Sequence, residues 1–485
     1  MDATELRFHI SGGNVNAQQV QALARDAIEK VNPFINATVG PVLSEVPYYL
    51  ADGPFGGVPF ALKDLGSPMK GLRSECGSRL ASGWTAPHDS HLAGRWRAAG
   101  LAVLARTTTP EFGANVTTEP LTTGATRNPW DLSRTPGGSS GGSAALVAAG
   151  ALPMAHANDA AGSIRIPAAL CGLVGLKPSR GRVPVGPDVD EPMNGLTSEF
   201  AITRTVRDTA ALLDAVHGGV RGDRYRLDRR PIPFADRINL DNPIAFRIGI
   251  ETPATFDTTT DPLCLAEVER VAQELQNLGH VVEPVGPALG SEEILDLNLR
   301  FWCASISETV FEFGDLPLHE LKDRLERSTI ALAREGRELS WRQIAEARAW
   351  QNQMTRRTAA AYRDFDFILT PTVSRPAWKL GELNANAEVD SARSWLARVL
   401  AFAPHTSTSN ITGRPAISLP TGMAGRLPLG VQFSAHQGEE GDLLHLAAQI
   451  EQALPWADRR PDVHASKPVQ LAPITHPATK EQVLA

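Results

Sequence analysis

Two serines stand in surroundings that suit nucleophilic catalysis. Ser139 lies within a Gly-Gly-Ser-Ser-Gly-Gly tract, where glycine permits backbone conformations that bring hydroxyl and amide groups close to a reacting centre. Ser163 follows three small residues whose unshielded N–H groups suit the binding of an oxyanion: Ala160, Ala161 and Gly162. The two segments predict a nucleophile, a proton relay and an anion-binding site.

A lysine upstream of both serines could supply the base. Lys63 follows the apolar segment 58–62, which has the composition of a buried strand. Burial disfavours the charged form of a lysine and lowers its pKa, so that the neutral amine can accept a proton. Alone, Lys63 would more commonly be a lysine that extends its ammonium into water. Beside the two serine segments, we predict that it is the catalytic base.

These segments resemble the amidase signature family. The family pattern has a lysine in G-V-P-x-x-x-K-D, then G-G-S-S-G-G, then G-T-D-x-G-G-S-I-R-x-P-A, and this sequence is similar to it at 57–64, 137–142 and 157–168. Ser163 follows Ser139 by 24 residues, which is the interval that the family shows. Within the family, the stretches at 109–120, 124–130 and 156–168 look most like bacterial 6-aminohexanoate-cyclic-dimer hydrolases and related amidases.

The resemblance implies a catalytic triad that needs no histidine, metal or cofactor. In it, Ser163 attacks the amide carbonyl and Ser139 takes the proton while passing its own to neutral Lys63, so that an acyl-enzyme forms and water then cleaves it. The family holds the bridging serine after a cis peptide bond, here Gly138–Ser139. The implied oxyanion hole consists of four backbone N–H groups, those of Ala160, Ala161, Gly162 and Ser163.

Three further residues are expected to support this triad: Ser140, Asp159 and Arg165. Arg165 could bind a substrate carboxylate, but the nearby Asp159 favours an internal ion pair. Asp159 and Asp64 are interpreted as structural residues that orient neighbouring N–H groups. For Ser140, a supporting hydrogen bond and the mere satisfaction of backbone groups are equally open.

The sequence departs from the family pattern beside the nucleophile. Ala157, Asn158 and Ala161 replace glycine, threonine and glycine of the pattern. Because Ala161 has a Cβ, its backbone must avoid the positive-φ region that glycine tolerates. We therefore expect the anion hole to be preserved, with a geometry less closely fixed by the pattern than that of the triad.

The elements that must position these residues form an α/β fold. Short apolar runs alternate with helical ones from Val58 onward, which predicts a sheet covered by helices on both faces, and the resemblance implies a large mixed sheet. We predict one domain over 1–462, with the signature core at about 58–215, a helical cap at about 280–365 and a loose C-terminal tail at 463–485. The helical pattern at 17–31 is expected to stop at Asn32-Pro33.

The composition of the chain limits which binding partners and which cellular compartment are expected. The formal net charge of -7 argues against nucleic acid or an anionic membrane surface as the main partner. The family resemblance implies a small-molecule amide as the substrate. The four cysteines are far apart, and no signal peptide is visible, which predicts a reduced, cytoplasmic protein. The longest apolar run, 144–155, is shorter than the roughly 20 residues of a membrane span. The oligomeric state stays open between a monomer and a homodimer.

Two alternatives to a free-standing amidase remain. The chain could be the amidase subunit of a glutamine-dependent tRNA amidotransferase, or a non-catalytic binding protein on the same fold. The tract at 137–141 also fits G-x-S-x-G, but no late histidine stands in a recognisable triad context. Three residues of the helical cap are candidates for lining the substrate pocket: Trp302, Cys303 and Glu308.

Overall fold

A large mixed sheet forms the centre of the molecule. The computed structural model describes residues 1–229, 231–251, 260–314 and 316–468. Within these residues the sheet has eight strands in the order β3-β5-β4-β9-β10-β8-β6-β7, with β6 parallel to β7 and β8 and the other neighbours antiparallel. These strands are β3 (Met154–Asp159), β4 (Val174–Lys177), β5 (Ser198–Thr203), β6 (Arg247–Ile250), β7 (Val281–Pro284), β8 (Phe367–Pro371), β9 (Ala416–Ala424) and β10 (Leu427–Ala435).

Helices cover this sheet. The helix that follows the predicted nucleophile packs on β4, β9 and β10, and the last helix of the chain packs on β9 and β10. The predicted α/β class, with a large mixed sheet covered by helices, is confirmed. The helices are α1 (Ala3–Ser11), α2 (Ala17–Ile35), α3 (His91–Ala99), α4 (Gly141–Ala148), α5 (Arg165–Cys171), α6 (Val206–Val216), α7 (Phe234–Arg237), α8 (Pro262–Asn277), α9 (Ser291–Phe313), α10 (Arg327–Glu338), α11 (Trp341–Ala361), α12 (Ala392–Ala401), α13 (Thr406–Thr412) and α14 (Glu440–Ala453).

The strand that carries the predicted lysine stands apart from the large sheet. β1 (Pro59–Lys63) pairs in parallel with β2 (Ala102–Thr107), and the two form a sheet of their own. This differs from the single sheet that the alternation of apolar runs predicted. The backbone N–H of Lys63 donates to Nδ1 of His156 on β3, at 3.2 Å, so a side chain here takes the place of a ladder hydrogen bond.

The buried hydrophobic side chains fall into two clusters. The first cluster lies around the sheets and includes most of β1 and α4 and half of β3. The second cluster is formed by α9 to α12 together with residues beside the predicted nucleophile, among them Ala160, Ala161 and Ile166. The helices of the predicted cap region are thus present, and they share a core with the predicted anion hole.

Two boundaries differ from the sequence-based ones. α2 continues through Pro33 to Ile35, because Phe34 and Ile35 are buried, and it ends at Asn36 in the left-handed region with φ 49°. The predicted tail is packed at its start, since Val463 is fully buried and Ala465 N donates to Ala149 O at 2.8 Å. The rest of the predicted tail, 469–485, lies outside the described residues.

Within the described residues, no helix combines the length and the apolar character that crossing a bilayer requires.

Candidate active site

Lys63 lies at the buried end of β1. All five residues of this strand are buried, and the Lys63 side chain is 4% exposed. Its Nζ lies 2.7 Å from Oγ of Ser139 and 2.6 Å from Oδ1 of Asn158. Burial lowers the pKa of Lys63 to about 7, although the negative charges of Glu199 and Asp159 oppose this shift. Near neutral pH the amine can therefore be uncharged and accept a proton.

Glycines allow Ser139 to approach this lysine. The Gly138–Ser139 peptide bond is cis, as the family resemblance implied. A Cβ on Gly138 would lie 2.6 Å from the carbonyl oxygen of Thr117, and a Cβ on Gly142 would lie 2.4 Å from the backbone nitrogen of Thr108. The glycine tract is thus needed because neighbouring backbone passes too close for any side chain.

Ser140 connects the two serine segments. Its backbone N–H donates to the carbonyl oxygen of Ser163 at 3.3 Å, and its Oγ donates to the carbonyl oxygen of Asn158 at 3.3 Å. These bonds bring Ser139 next to the loop that carries Ser163. In the described part of the chain no side-chain hydrogen bond joins Ser139 to Ser163. The two segments are connected through Ser140, and the predicted hydrogen bond of the relay is not formed.

Ser163 lies in the short loop between β3 and α5, which Asp159 organises. Oδ1 of Asp159 accepts the N–H of Gly162 at 2.7 Å, and Oδ2 accepts the N–H of Ile164 at 3.1 Å. Gly162 has φ +130°, a conformation that favours glycine, whereas Ala161 is not among the positive-φ residues of the described chain. The alanine that replaces glycine therefore fits the loop without backbone strain.

The four N–H groups of the predicted anion hole are not equivalent. The N–H of Gly162 is engaged by Asp159, which differs from the resemblance-based prediction that it faces the substrate. Among the described residues, no acceptor faces the N–H groups of Ala160, Ala161 and Ser163. These three groups are free to bind an oxyanion.

Arg165 is fully engaged by the protein. It forms a two-point ion pair with Asp159, with distances of 2.8 Å and 2.9 Å, and neither side chain is exposed. Its Nη1 also donates to Gln432 Oε1 at 2.7 Å, and its Nη2 donates to Asn410 Oδ1 at 2.6 Å. Burial alone would raise the pKa of Asp159, but the charge of Arg165 holds it well below the usual range. Of the two roles considered for Arg165, the structure contains the internal ion pair.

Asp64, interpreted from the sequence as structural, is also held by the protein. Its Oδ1 accepts Nη1 of Arg106 at 2.7 Å and the backbone N–H of Glu75 at 3.0 Å, and the side chain is 1% exposed. Burial raises the pKa of Asp64, while Arg106 opposes that rise. The carboxylate thus shapes the chain just after Lys63.

Sequence reasoning missed the residues that hold Lys63. Nδ2 of Asn158 donates to Oε1 of Glu199 at 3.0 Å, and Oε2 of Glu199 lies 2.7 Å from Nε2 of His156. His156 and Asn158 are two positions apart on β3, so they point to the same side of the strand, and that period is the one signal present in the sequence. Glu199 is Asn158's partner in the register of β3 and β5, which no sequence motif indicates.

The cap residues proposed for the substrate pocket have different surroundings. Trp302 and Cys303 are buried in the second cluster, and Nε1 of Trp302 donates to Oδ1 of Asn298 at 3.2 Å. Glu308 is exposed on α9. Of these, Trp302 and Cys303 share a core with the anion-hole loop.

No group of three or more His, Cys, Asp or Glu side chains suited to a metal ion occurs among the described residues.

Comparison with known proteins gives matches along nearly the whole chain. A model of the amidase family matches residues 24–444. A 6-aminohexanoate-cyclic-dimer hydrolase of Pseudomonas sp. (strain NK87) is 40% identical over 484 residues, which cover 95% of this chain and 96% of the relative. A hydrolase of the same name from Paenarthrobacter ureafaciens is 39% identical over 481 residues, covering 95% and 96%.

A solved structure agrees at the level of the fold. The structure of a 6-aminohexanoate cyclic dimer hydrolase in complex with its substrate matches with a TM-score of 0.88 at 36% sequence identity, and the match covers 96% of this chain and 99% of that one. The match therefore extends over nearly the whole described fold.

Proposed function

This chain belongs to the amidase family, and on that basis we propose that Ser163, Ser139 and Lys63 form the catalytic triad of an amidohydrolase. The chain is a hydrolase of carbon–nitrogen bonds in amides other than peptides. The observation that carries the triad is the 2.7 Å distance between Nζ of Lys63 and Oγ of Ser139, both of which are buried. A lysine in that position, with its pKa lowered by burial, has the properties of a base for serine chemistry.

The first half of the reaction forms an acyl-enzyme. Neutral Lys63 accepts the hydroxyl proton of Ser139, which accepts the proton of Ser163 as Oγ of Ser163 attacks the amide carbonyl. The negative oxygen that develops is bound by the free N–H groups of the Ala160–Ser163 loop. When the carbon–nitrogen bond breaks, the proton returns from Lys63 through Ser139 to the leaving amine.

The second half reverses this proton path. Water loses a proton to the same serine–lysine relay as it attacks the acyl carbon, and the ester bond to Ser163 then breaks. Ser163 regains its proton and the acyl product leaves as a carboxylic acid. Each proton taken up by Lys63 is thus given back within the same half-reaction.

We propose that the substrate is a small linear or cyclic carboxamide. Support comes from the two relatives named as 6-aminohexanoate-cyclic-dimer hydrolases, each matched over at least 95% of this chain. That cyclic dimer is therefore the first compound to assay. A reducing, cytoplasmic location is also proposed, because Cys76, Cys171, Cys264 and Cys303 are all unpaired.

The test uses the purified full-length chain. It is assayed against aliphatic, aryl, linear oligomeric and cyclic amides without tRNA or ATP, and it is labelled with a fluorophosphonate probe. We expect hydrolysis of at least one amide and one label per chain at Ser163. Hydrolysis that depended on tRNA and ATP would instead favour an amidotransferase subunit, and a folded chain without label or activity would favour a binding protein.

A further inference from the structure

A closed ring of hydrogen bonds surrounds the base, and it contains three residues that the proposed relay does not use. We propose that Asn158 and Glu199, held by His156, are positioning residues that direct the lone pair of neutral Lys63 at Ser139. This inference rests on the proposed function, since it assumes that Lys63 is the base.

The orientation of the Asn158 side chain is fixed by its neighbours. Its Nδ2 lies 3.0 Å from Oε1 of Glu199 and 3.2 Å from the carbonyl oxygen of Leu65, and both of these atoms only accept hydrogen bonds. The Oδ1 atom therefore faces Lys63, at 2.6 Å from Nζ. Because an amide oxygen only accepts, Lys63 must donate a hydrogen to Asn158 in either charge state.

That donation restricts where the lone pair can point, because it keeps the lone pair away from Asn158. A neutral lysine amine has two hydrogens and one lone pair, and Nζ has two close polar neighbours, Oδ1 of Asn158 and Oγ of Ser139. With one hydrogen held by Asn158, the second hydrogen and the lone pair remain, and the lone pair accepts the hydroxyl hydrogen when Ser139 donates it to Nζ. The family pattern has threonine at position 158, and a threonine hydroxyl can donate or accept, so it would leave this direction open.

Glu199 is fixed in turn by His156. Nδ1 of His156 accepts the backbone N–H of Lys63 at 3.2 Å, so the hydrogen of the neutral ring is on Nε2, which donates to Oε2 of Glu199 at 2.7 Å. Oγ of Ser67 donates to the same oxygen at 3.2 Å. Burial alone would raise the pKa of Glu199, but the hydrogen bonds from His156 and Asn158 lower it, which keeps the carboxylate ionised.

Gly66 leaves the space that this ring occupies. Its φ is +96°, and a Cβ there would lie 2.4 Å from Nδ2 of Asn158 and 2.6 Å from Oε1 of Glu199. The chain thus has a glycine at the point where the Asn158–Glu199 contact passes closest to the backbone.

The ring also affects the charge of the base. The titratable groups that face Lys63 are Glu199 on β5, Asp159 and His156 on β3, and Cys76 from the loop after β1. Burial lowers the pKa of Lys63 to about 7, and Glu199 is the largest of the opposing influences. Removing the charge of Glu199 must therefore lower this pKa further, and adding a charge at Asn158 must raise it.

The experiment compares pH profiles of kcat/KM for the wild type, Glu199→Gln and Asn158→Asp. We expect the acid limb to move down by about one pH unit in Glu199→Gln and up by about one unit in Asn158→Asp, because the two substitutions change the charge beside Lys63 in opposite directions. At neutral pH kcat should fall about tenfold or more in both variants with KM nearly unchanged.

Glu440→Gln is the matched control. Glu440 is a fully buried glutamate that pairs with Arg182 at 2.9 Å, and it is not among the groups that influence the pKa of Lys63. This variant should lose thermal stability without moving the acid limb. If Glu199→Gln folds and its acid limb does not move, the inference is overturned. If Glu199→Gln does not fold, an unmoved acid limb in Asn158→Asp overturns it.

Labelling separates this inference from the proposed function. If the wild type is labelled at Ser163 and has an acid limb that neither substitution moves, the positioning role alone is wrong. If the wild type has no acid limb, or is not labelled at Ser163, the triad itself is wrong.

Discussion

The carboxylate of Asp159 and the guanidinium of Arg165 form a fully buried ion pair with two hydrogen bonds of 2.8 Å and 2.9 Å. The same carboxylate also binds two backbone N–H groups of the loop that carries Ser163. One ion pair therefore fixes both the start of α5 and the shape of the anion hole.

We predict that Asp159→Asn lowers the free energy of unfolding by about 3–5 kcal/mol, because it leaves the charge of Arg165 buried without a partner. Urea denaturation followed by circular dichroism measures this change. Glu346→Gln is the control, since the exposed pair of Glu346 with Arg342 should contribute less than about 1 kcal/mol. Equal losses in the two variants would contradict the role given to the buried pair.

Ser163→Ala should abolish turnover, with at least about a thousandfold lower kcat, because the attacking oxygen is lost. The melting temperature should change by no more than about 2 °C, since Oγ of Ser163 has no hydrogen-bond partner among the described residues. Amide hydrolysis and thermal unfolding are measured on the same preparation. Ser133→Ala removes an exposed hydroxyl elsewhere and should leave both values unchanged. Residual turnover near the wild-type rate in Ser163→Ala would exclude this serine as nucleophile.

The pH dependence should report the charge of Lys63. With the neutral amine as the proposed base, kcat/KM should rise with pH through an apparent pKa of about 7 and fall on the acid side. Lys63→Ala should be about as inactive as Ser163→Ala, because no base then remains for the relay.

Lys177 provides a control for this pH profile. Burial, with the charge of Arg165 adding to it, lowers the pKa of Lys177 to about 7 as well, but its Nζ donates to the carbonyl oxygen of Pro178. The acid limb should therefore persist in Lys177→Met. If the acid limb disappeared in Lys177→Met but persisted in a partly active Lys63 variant, the limb would have to be assigned to Lys177 instead of Lys63.

The anion hole should tolerate change at Ala161 better than at Gly162. A Cβ on Gly162 would lie 2.7 Å from Oγ1 of Thr406 and from Cδ1 of Ile166, at a φ of +130°. We expect Gly162→Ala to lower kcat by about a hundredfold or more, since the displaced loop misaligns its N–H donors. Ala161→Gly should retain nearly wild-type kcat. Steady-state kinetics of the two variants decide this, and the reverse order of effects would place the critical contact at Ala161.

A buried carboxylate away from the triad should make stability depend on pH. Burial and the nearby Glu111 carboxylate raise the pKa of Glu326 from 4.5 to about 7. The folded chain thus binds this proton more tightly than the unfolded chain, so the free energy of unfolding falls as pH rises from about 4.5 through about 7. Glu326→Gln should remove about 2 kcal/mol of the difference in stability between about pH 5 and about pH 8.

Urea titrations at both pH values test this prediction. Glu338→Gln, which changes the exposed last residue of α10, the helix that begins just after Glu326, is the control and should keep the wild-type dependence. An unchanged dependence in Glu326→Gln would mean that other groups cause it.

Local pattern was sufficient to locate the parts of the site that lie close together along the chain. The glycines around Ser139, and Gly162 just before Ser163, are each required by close contacts, and these glycines belong to short motifs. The resemblance then supplied the fold, including the mixed sheet.

Features that depend on strand register could not be predicted from the sequence. Glu199 meets Asn158 from 41 residues away because β3 and β5 pair at those two positions. For the same reason, the sequence did not show that the N–H of Lys63 bonds a histidine ring and that β1 and β2 form a separate sheet. The extension of α2 past Pro33 likewise depends on burial of Phe34 and Ile35 by distant parts of the chain.

The second hydrophobic cluster has a consequence for how such an enzyme diversifies. Its helices belong to the same hydrophobic cluster as the proposed anion-hole loop, and their buried apolar side chains lie outside the cluster around the sheets. Substitutions on α9 to α12 can therefore change the surroundings of that loop while the hydrophobic cluster around the sheets stays intact. For laboratory evolution toward new amides, a library restricted to these helices should yield a larger share of folded, selectable clones than one spread over the sheet.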